Sequence, residues 1–354
     1  MRSKFFSILK SYLLGWFIAN VVWFLGTSVN ENQTDFFNQG GLGTLLVFFL
    51  LTWLFQGAFY GVLFGLIESF IKGRVPFLRL QFIVLFSQTL MAVILVLSLF
   101  QLFKVIDVVK VDTKIADFIN DFPGVWLGFV FALIVNFTIN LLIHIDWILG
   151  KGNLLNLIKG KFYHPKVANQ IFMFLDLKGS TTLAERLGNV KYSELIQDCF
   201  YDLAVVARFG AKVYQYVGDE AVLTWNLENG LKNNNCIKAF YAFERQLQKK
   251  EAYYLLKYNE KPIFKAGLNI GTITVTEVGE LKREIAYHGD TINIAARIQG
   301  ECNKLGTNLM ISEMLFNNLV DDTTLSMKFE GKVLLRGKTG QVGMYSVQRT
   351  PQAQ

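Results

Sequence analysis

Cysteine is scarce in this chain. Among 354 residues there are three, Cys199, Cys236 and Cys302, all in the second half. None has the close spacing of a metal-ligand pair, and an odd count fits a reducing compartment rather than a disulfide framework. They read as buried free thiols. Charge is scarce too: 18% of residues are charged and 52% are hydrophobic. That balance is too apolar for an ordinary soluble protein, and the excess lies in the first 150 residues. The formal charge is +7, yet no Lys/Arg run is interleaved with aromatic residues, so nucleic acid is not an expected partner. A basic chain of this kind fits the anionic inner leaflet of a membrane. There is no internal repeat and no low-complexity tract.

What is present first is a set of long apolar stretches. Four are expected to span a bilayer, near Phe6–Gly26, Gly43–Ile67, Leu80–Phe103 and Gly124–Ile148, since a helix needs about 20 apolar residues to cross the hydrocarbon core. The first is too long for a signal peptide and no small-residue cleavage site follows it. Basic residues set the orientation. Arg2, Lys4 and Lys10 stand at the start; the first loop, 27–41, has no Lys or Arg; Lys72, Arg74 and Arg79 crowd the second. The third loop mixes Lys104, Lys110 and Lys114 with Asp107, Asp112, Asp117 and Asp121, and Lys151, Lys159, Lys161 and Lys166 follow the last span. The positive-inside rule then places both termini in the cytoplasm of a multi-pass inner-membrane protein. Gly57, Gly61 and Gly65 recur every fourth residue, as a dimer seam or as packing within one bundle. Asn136, Asn140 and His144 share a face of the fourth span, either as a functional stripe or as interhelical hydrogen bonding.

The composition changes at Gly150. We divide the chain into a transmembrane domain, 1–150, a basic juxtamembrane linker, 151–166, and a soluble domain, 167–350. Pro165 interrupts any continuous helix there. Beyond it, strand, helix, hairpin, helix, strand is the ferredoxin-like pattern, so the fold class is α+β behind a four-helix transmembrane bundle. Strand 171–177 is expected, then helices from about Thr181 and over 192–209, a hairpin over 211–225, one long helix over 230–258, a strand over 264–275, a short strand over 283–287 and a helix over 291–303.

Two aspartates stand out. Asp176 ends a strand in Leu175-Asp176-Leu177-Lys178-Gly179-Ser180-Thr181, and Asp219 sits in the hairpin turn Tyr216-Val217-Gly218-Asp219-Glu220. Carboxylates on adjacent strands can hold two divalent cations, and such cations promote attack of a hydroxyl on a phosphate. The segment after Asp176 opens a helix, whose free N–H groups favour phosphate. Asn293 and Arg297 are four apart and share a helix face. Glu220 reads as turn chemistry.

Four blocks in one order resemble the catalytic domain of class III nucleotidyl cyclases, over about residues 162–347: Phe174–Thr181, Val217–Asp219, Gly289–Arg297, and Arg336-Gly337-Lys338. The Tyr163-His164-Pro165 linker is similar to that of bacterial membrane-anchored members. The resemblance implies two Mg²⁺ or Mn²⁺ ions held by Asp176, Asp219 and the Leu177 carbonyl. It implies triphosphate contacts from Lys178, Gly179, Ser180, Thr181, Arg336 and Lys338. Asn293 would orient the ribose and Arg297 would stabilise charge on the α-phosphate. The family's sites are shared between subunits, so a homodimer is implied. Its base-selecting positions fall on Gln215 and Ala286, where the family usually has Lys or Glu and Asp or Thr. Gln215 can meet either purine edge. The expected activity is an adenylate cyclase making cyclic AMP and pyrophosphate from ATP. A guanylate or other nucleotidyl cyclase and an inactive nucleotide-binding receptor are the alternatives. The chain lacks the paired-glycine signature of diguanylate cyclases.

Overall fold

A computed structural model describes residues 2–28, 34–71, 75–105, 124–150, 152–334 and 341–350. The chain divides into two compact units, Met1–Leu149 and Gly150–Gln354.

The first unit contains α1 (Arg2–Ser28), α2 (Thr34–Ile71), α3 (Phe77–Val105) and α4 (Gly124–Ile148). Three stretches are long and apolar enough to cross a membrane: Phe5–Gly26, Trp53–Phe70 and Leu127–Ile148. In α3 the described apolar stretch is shorter, Phe77–Leu90. The glycine stripe of α2 seats α1. A Cβ on Gly57 would lie 3.0 Å from Leu13 Cα, one on Gly61 3.0 Å from Tyr12 Cβ, and one on Gly65 2.7 Å from a Phe5 ring carbon. The stripe is therefore filled within one chain rather than left open as a seam. The asparagine stripe is interhelical glue. Tyr12 donates to Asn140 Oδ1, Asn140 Nδ2 donates to Gln81 Oε1 at 3.2 Å, and Trp16 Nε1 donates to Asn136 Oδ1 at 3.1 Å. His144 packs its ring on Phe77, centroids 4.5 Å apart. Asp107, Lys110, Asp112, Lys114, Asp117 and Asp121 lie outside the described residues.

In the second unit a short helix, Asn153–Ile158, precedes β1 (Lys166–Leu177). There follow α5 (Ser180–Leu203), β2 (Lys212–Val217), β3 (Glu220–Asn226), α6 (Asn235–Lys249), α7 (Glu251–Tyr258) and β4 (Phe264–Val278). β5 (Glu284–His288), α8 (Asp290–Glu301), β6 (Leu309–Ser312), β7 (Leu325–Leu334) and β8 (Gln341–Arg349) come next, and Leu227–Leu231 and Glu313–Phe316 add short helices. The single helix expected over 230–258 is broken. Asn233 and Asn234 take left-handed backbone conformations, φ 52° and 56°, which asparagine tolerates, and the Asn234 amide is tied to both backbone groups of Val320. A second break falls at Lys250, φ −105°. α5 is kinked at Gly188, φ 73° and ψ 160°.

The sheet runs β2-β3-β1-β4-β6-β8-β7, with β5 on the far end of β4. Pairing is antiparallel except between β4 and β6. β1 is central, and its alternation separates two cores. Ile171, Met173, Leu175 and Leu177 face the larger core with Leu195, Cys199, Phe240 and Phe243. Phe172 and Phe174 face the other, with Ile273, Val275 and Ala295 of α8. Asp176 has the parity of that second face. The apolar run of β1 that reads as a buried strand is thus buried on both sides, by α5 and α6 on one and α8 on the other. All three cysteines are buried free thiols.

Candidate active site

Register sets the site. Asp176 stands opposite Glu220 of β3 and opposite Lys265 of β4. Directly opposed residues of an antiparallel pair share a face, so Lys265, Asp176 and Glu220 form a row across three strands. Asp219 joins them from the β2–β3 turn, where Gly218 takes the positive φ of 60° that glycine accepts at no steric cost. Lys265 Nζ lies 3.2 Å from Asp176 Oδ2, and Gln299 Nε2 of α8 donates to the same oxygen at 3.0 Å.

The electrostatics of the row follow from burial. Desolvation raises the Asp176 carboxyl above its ordinary value, the nearby Asp219 charge adds to this, and Lys265 opposes it. Glu220 is pushed up to about 7, first by burial and then by the Asp176 and Asp219 charges. Tyr192, placed beyond the Gly188 kink, lies beside both aspartates and bonds to Ser180. Its phenol is held high by burial and by the Asp219 charge.

Asp219 Oδ2 is buried, and among the described residues it has no hydrogen-bond partner. A bare buried carboxylate oxygen is costly unless something cationic meets it. Two neighbouring carboxylates with one oxygen unmet suit a hard divalent cation with oxygen ligands. Among the described residues there is no group of three or more His, Cys, Asp and Glu side chains placed to hold a metal.

Beside the carboxylates, Lys178 N donates to Ile263 O at 2.8 Å and carries the β1–β4 pairing one residue further. Gly179, φ 67°, then caps α5 without a side-chain bond. Ser180 and Thr181 form its first turn, with N–H groups that have no partner inside the helix. Asn293 and Arg297 lie on α8, Asn293 exposed and Arg297 half-buried. α8 sits hard on β4. A Cβ on Gly267 would fall 2.2 Å from Gln299 N, and one on Gly271 2.6 Å from Thr291 Oγ1. Thr291 Oγ1 donates to Thr272 O, and Asn269 Nδ2 donates to Thr291 O. At about 100° per residue, Arg297 and Gln299 point to opposite sides of the helix. The side that reaches Asp176 is therefore not the side that bears Asn293 and Arg297.

Between Val213 and Gln215, β2 slips register against β3, and Tyr214 meets Tyr287 of β5 with ring centroids 4.6 Å apart. Gln215 and Ala286 each adjoin that contact by one residue. Arg336 and Lys338 lie outside the described residues.

A family model described as the adenylate and guanylate cyclase catalytic domain matches residues 162–349. The chain belongs to this class III cyclase family. Among curated relatives, the chain is 31% identical over 219 residues to "Adenylate cyclase 2" of Rhizobium meliloti (strain 1021), a match covering 62% of this chain and 60% of that protein. It is 24% identical over 183 residues to "Adenylate cyclase" of Anabaena cylindrica, covering 49% and 36%. The chain thus spans less than two thirds of the length of these relatives. Among solved structures, a bacterial light-regulated adenylyl cyclase superposes with a TM-score of 0.53 at 17% identity, covering 62% of this chain and 64% of that one. At that identity the likeness is one of fold.

Lys265, Gln299 and Tyr192 were not among the residues that sequence motifs single out. Lys265 leaves one trace, a lone cation in the apolar run Phe264–Ile270.

Proposed function

We propose that this chain is a membrane-anchored adenylate cyclase, which converts ATP to 3′,5′-cyclic AMP and pyrophosphate at two composite sites of a homodimer. The observation that carries the reading is the buried, unmet Asp219 Oδ2 beside Asp176. Asp176, Asp219 and the Leu177 carbonyl would hold two Mg²⁺ or Mn²⁺ ions. When bound, such ions lower the pKa of the ribose 3′-hydroxyl and neutralise triphosphate charge. The first-turn N–H groups of α5, with Lys178, Gly179, Ser180 and Thr181, bind phosphate oxygens; Arg336 and Lys338 are assigned to the terminal phosphates. Asn293 orients the ribose, and Arg297 stabilises the charge that builds on the α-phosphate as the 3′-oxygen bonds to it and pyrophosphate departs. A correctly aimed donor of this type is typically worth about 3 kcal/mol in the transition state.

The orientation of α8 supports the dimer. Its Asn293/Arg297 side is turned from the chain's own carboxylates, so a second copy is needed to bring the two halves together. Purine choice is assigned to Gln215 and Ala286, and ATP is favoured because the relatives above are named adenylate cyclases. The first unit is read as four spans, with α3 joining the three long apolar helices, both termini cytoplasmic, and the sheet and helices of the second unit as a ferredoxin-like cyclase domain.

The test is to supply the purified full chain with Mn²⁺ and ATP, GTP, CTP or UTP in separate reactions and to identify products by mass spectrometry. The expected result is cyclic AMP and pyrophosphate from ATP, with no product from a folded Asp176→Asn variant. A cyclic product from GTP but not from ATP would overturn the base assignment. The absence of any cyclic product would overturn the enzyme reading.

A further inference from the structure

We propose that Gln299 is a positioning residue that aims the Asp176 carboxylate for cation binding. The inference rests on the two-carboxylate reading above and adds to it a residue outside the motif blocks. Gln299 is 7% exposed, and its Nε2 donates to Asp176 Oδ2 at 3.0 Å. Its backbone has no slack, because Gly267 lets α8 approach until a Cβ there would lie 2.2 Å from Gln299 N. From that fixed point the Gln299 side chain reaches Asp176. Lys265 Nζ touches the same oxygen, 3.2 Å away. With Oδ2 held from two sides, Oδ1 is left as the oxygen to turn toward a cation shared with Asp219.

The two contacts differ in what they do to that cation. The lysine holds Oδ2 by charge and repels a second positive charge nearby. The amide of Gln299 donates a hydrogen bond and brings no net charge. It orients the carboxylate without opposing the ion. Outer-shell donors of this kind typically change metal affinity about 10- to 100-fold when removed. The arrangement also means that one helix acts on two sites. Its inner side braces the chain's own Asp176, while its outer side carries Asn293 and Arg297 toward the partner copy.

The experiment measures Mn²⁺ binding to the full chain without nucleotide, by the loss of the free-ion electron paramagnetic resonance signal. Gln299→Met keeps the bulk and removes the donor. Gln299→Asn keeps the amide but withdraws it by one carbon, about 1.5 Å. Both are expected to raise the Mn²⁺ concentration for half-saturation about tenfold, to leave the metal-free melting midpoint near that of wild type, and to leave the ATP KM unchanged at saturating Mn²⁺. Wild-type Mn²⁺ affinity in either folded variant would overturn the proposal. Asp176→Asn is the control: if it binds Mn²⁺ as wild type does, the carboxylate reading itself falls and takes this proposal with it, whereas loss in Asp176→Asn without loss in the Gln299 variants sinks the proposal alone.

Discussion

At the scale of the residue, the site is built from groups that burial makes uncomfortable. Asp176, Glu220 and Asp219 crowd one corner of the sheet against Lys265. Glu220 shows this most plainly, at about 7 in the fold against an ordinary 4.5. A carboxyl raised on folding favours the folded state fully below its unfolded value, and that contribution is lost as pH rises through the folded value. In EDTA, the melting midpoint of Glu220→Gln relative to wild type is therefore expected to rise between about pH 4.5 and 7 and to level off above. A difference between the two proteins that does not change with pH would contradict the assignment. Asp176 and Asp219 are legible in sequence because each sits in a short, recognisable segment, Asp176 at the end of β1 and Asp219 in the β2–β3 turn. Lys265 and Gln299 are not, because they lie 89 and 123 positions from Asp176 and meet it only through strand register and helix docking.

At the scale of the element, α8 and β4 decide the geometry. The helix rests on the strand where side chains are missing, at Gly267 and Gly271. Gly267→Ala would drive a methyl into the backbone of Gln299 and Ala295, and overpacking of this kind costs about 1–3 kcal/mol. We expect a lower melting midpoint together with a lower kcat, since the same helix carries Asn293, Arg297 and Gln299. Wild-type stability and kcat in the Gly267→Ala protein would show that the close approach does not matter. Much of this level was legible. The hairpin and α8 fall near their expected bounds, because apolar alternation and glycine punctuation mark them, whereas β1 begins at Lys166, five residues before the expected start, in a stretch with several polar residues. A single helix over 230–258 is expected because Asn233, Asn234 and Lys250 read as ordinary polar helix positions, and the chain breaks at them instead. Only the tie from Asn234 to Val320, 86 residues away, explains the first break.

At the scale of the whole molecule, the two units pose different questions. In the first, the glycine and asparagine stripes are absorbed by packing of α1 against its neighbours and by interhelical hydrogen bonds. In the second, the carboxylate row and the Asn293/Arg297 side of α8 point different ways, which is what the proposed sharing of the site between two copies requires. We propose that cyclisation takes place at a site shared between copies. The most direct test mixes Asp176→Asn chains with Asn293→Ala chains and measures cyclic AMP formation with Mn²⁺ and ATP. Each variant alone is predicted to be inactive, and an equal mixture to recover about a quarter of wild-type turnover, because half of the dimers are mixed and each carries one intact site of two. Demonstrated mixed dimers that recover nothing, or Asp176→Asn chains that turn over by themselves, would contradict it.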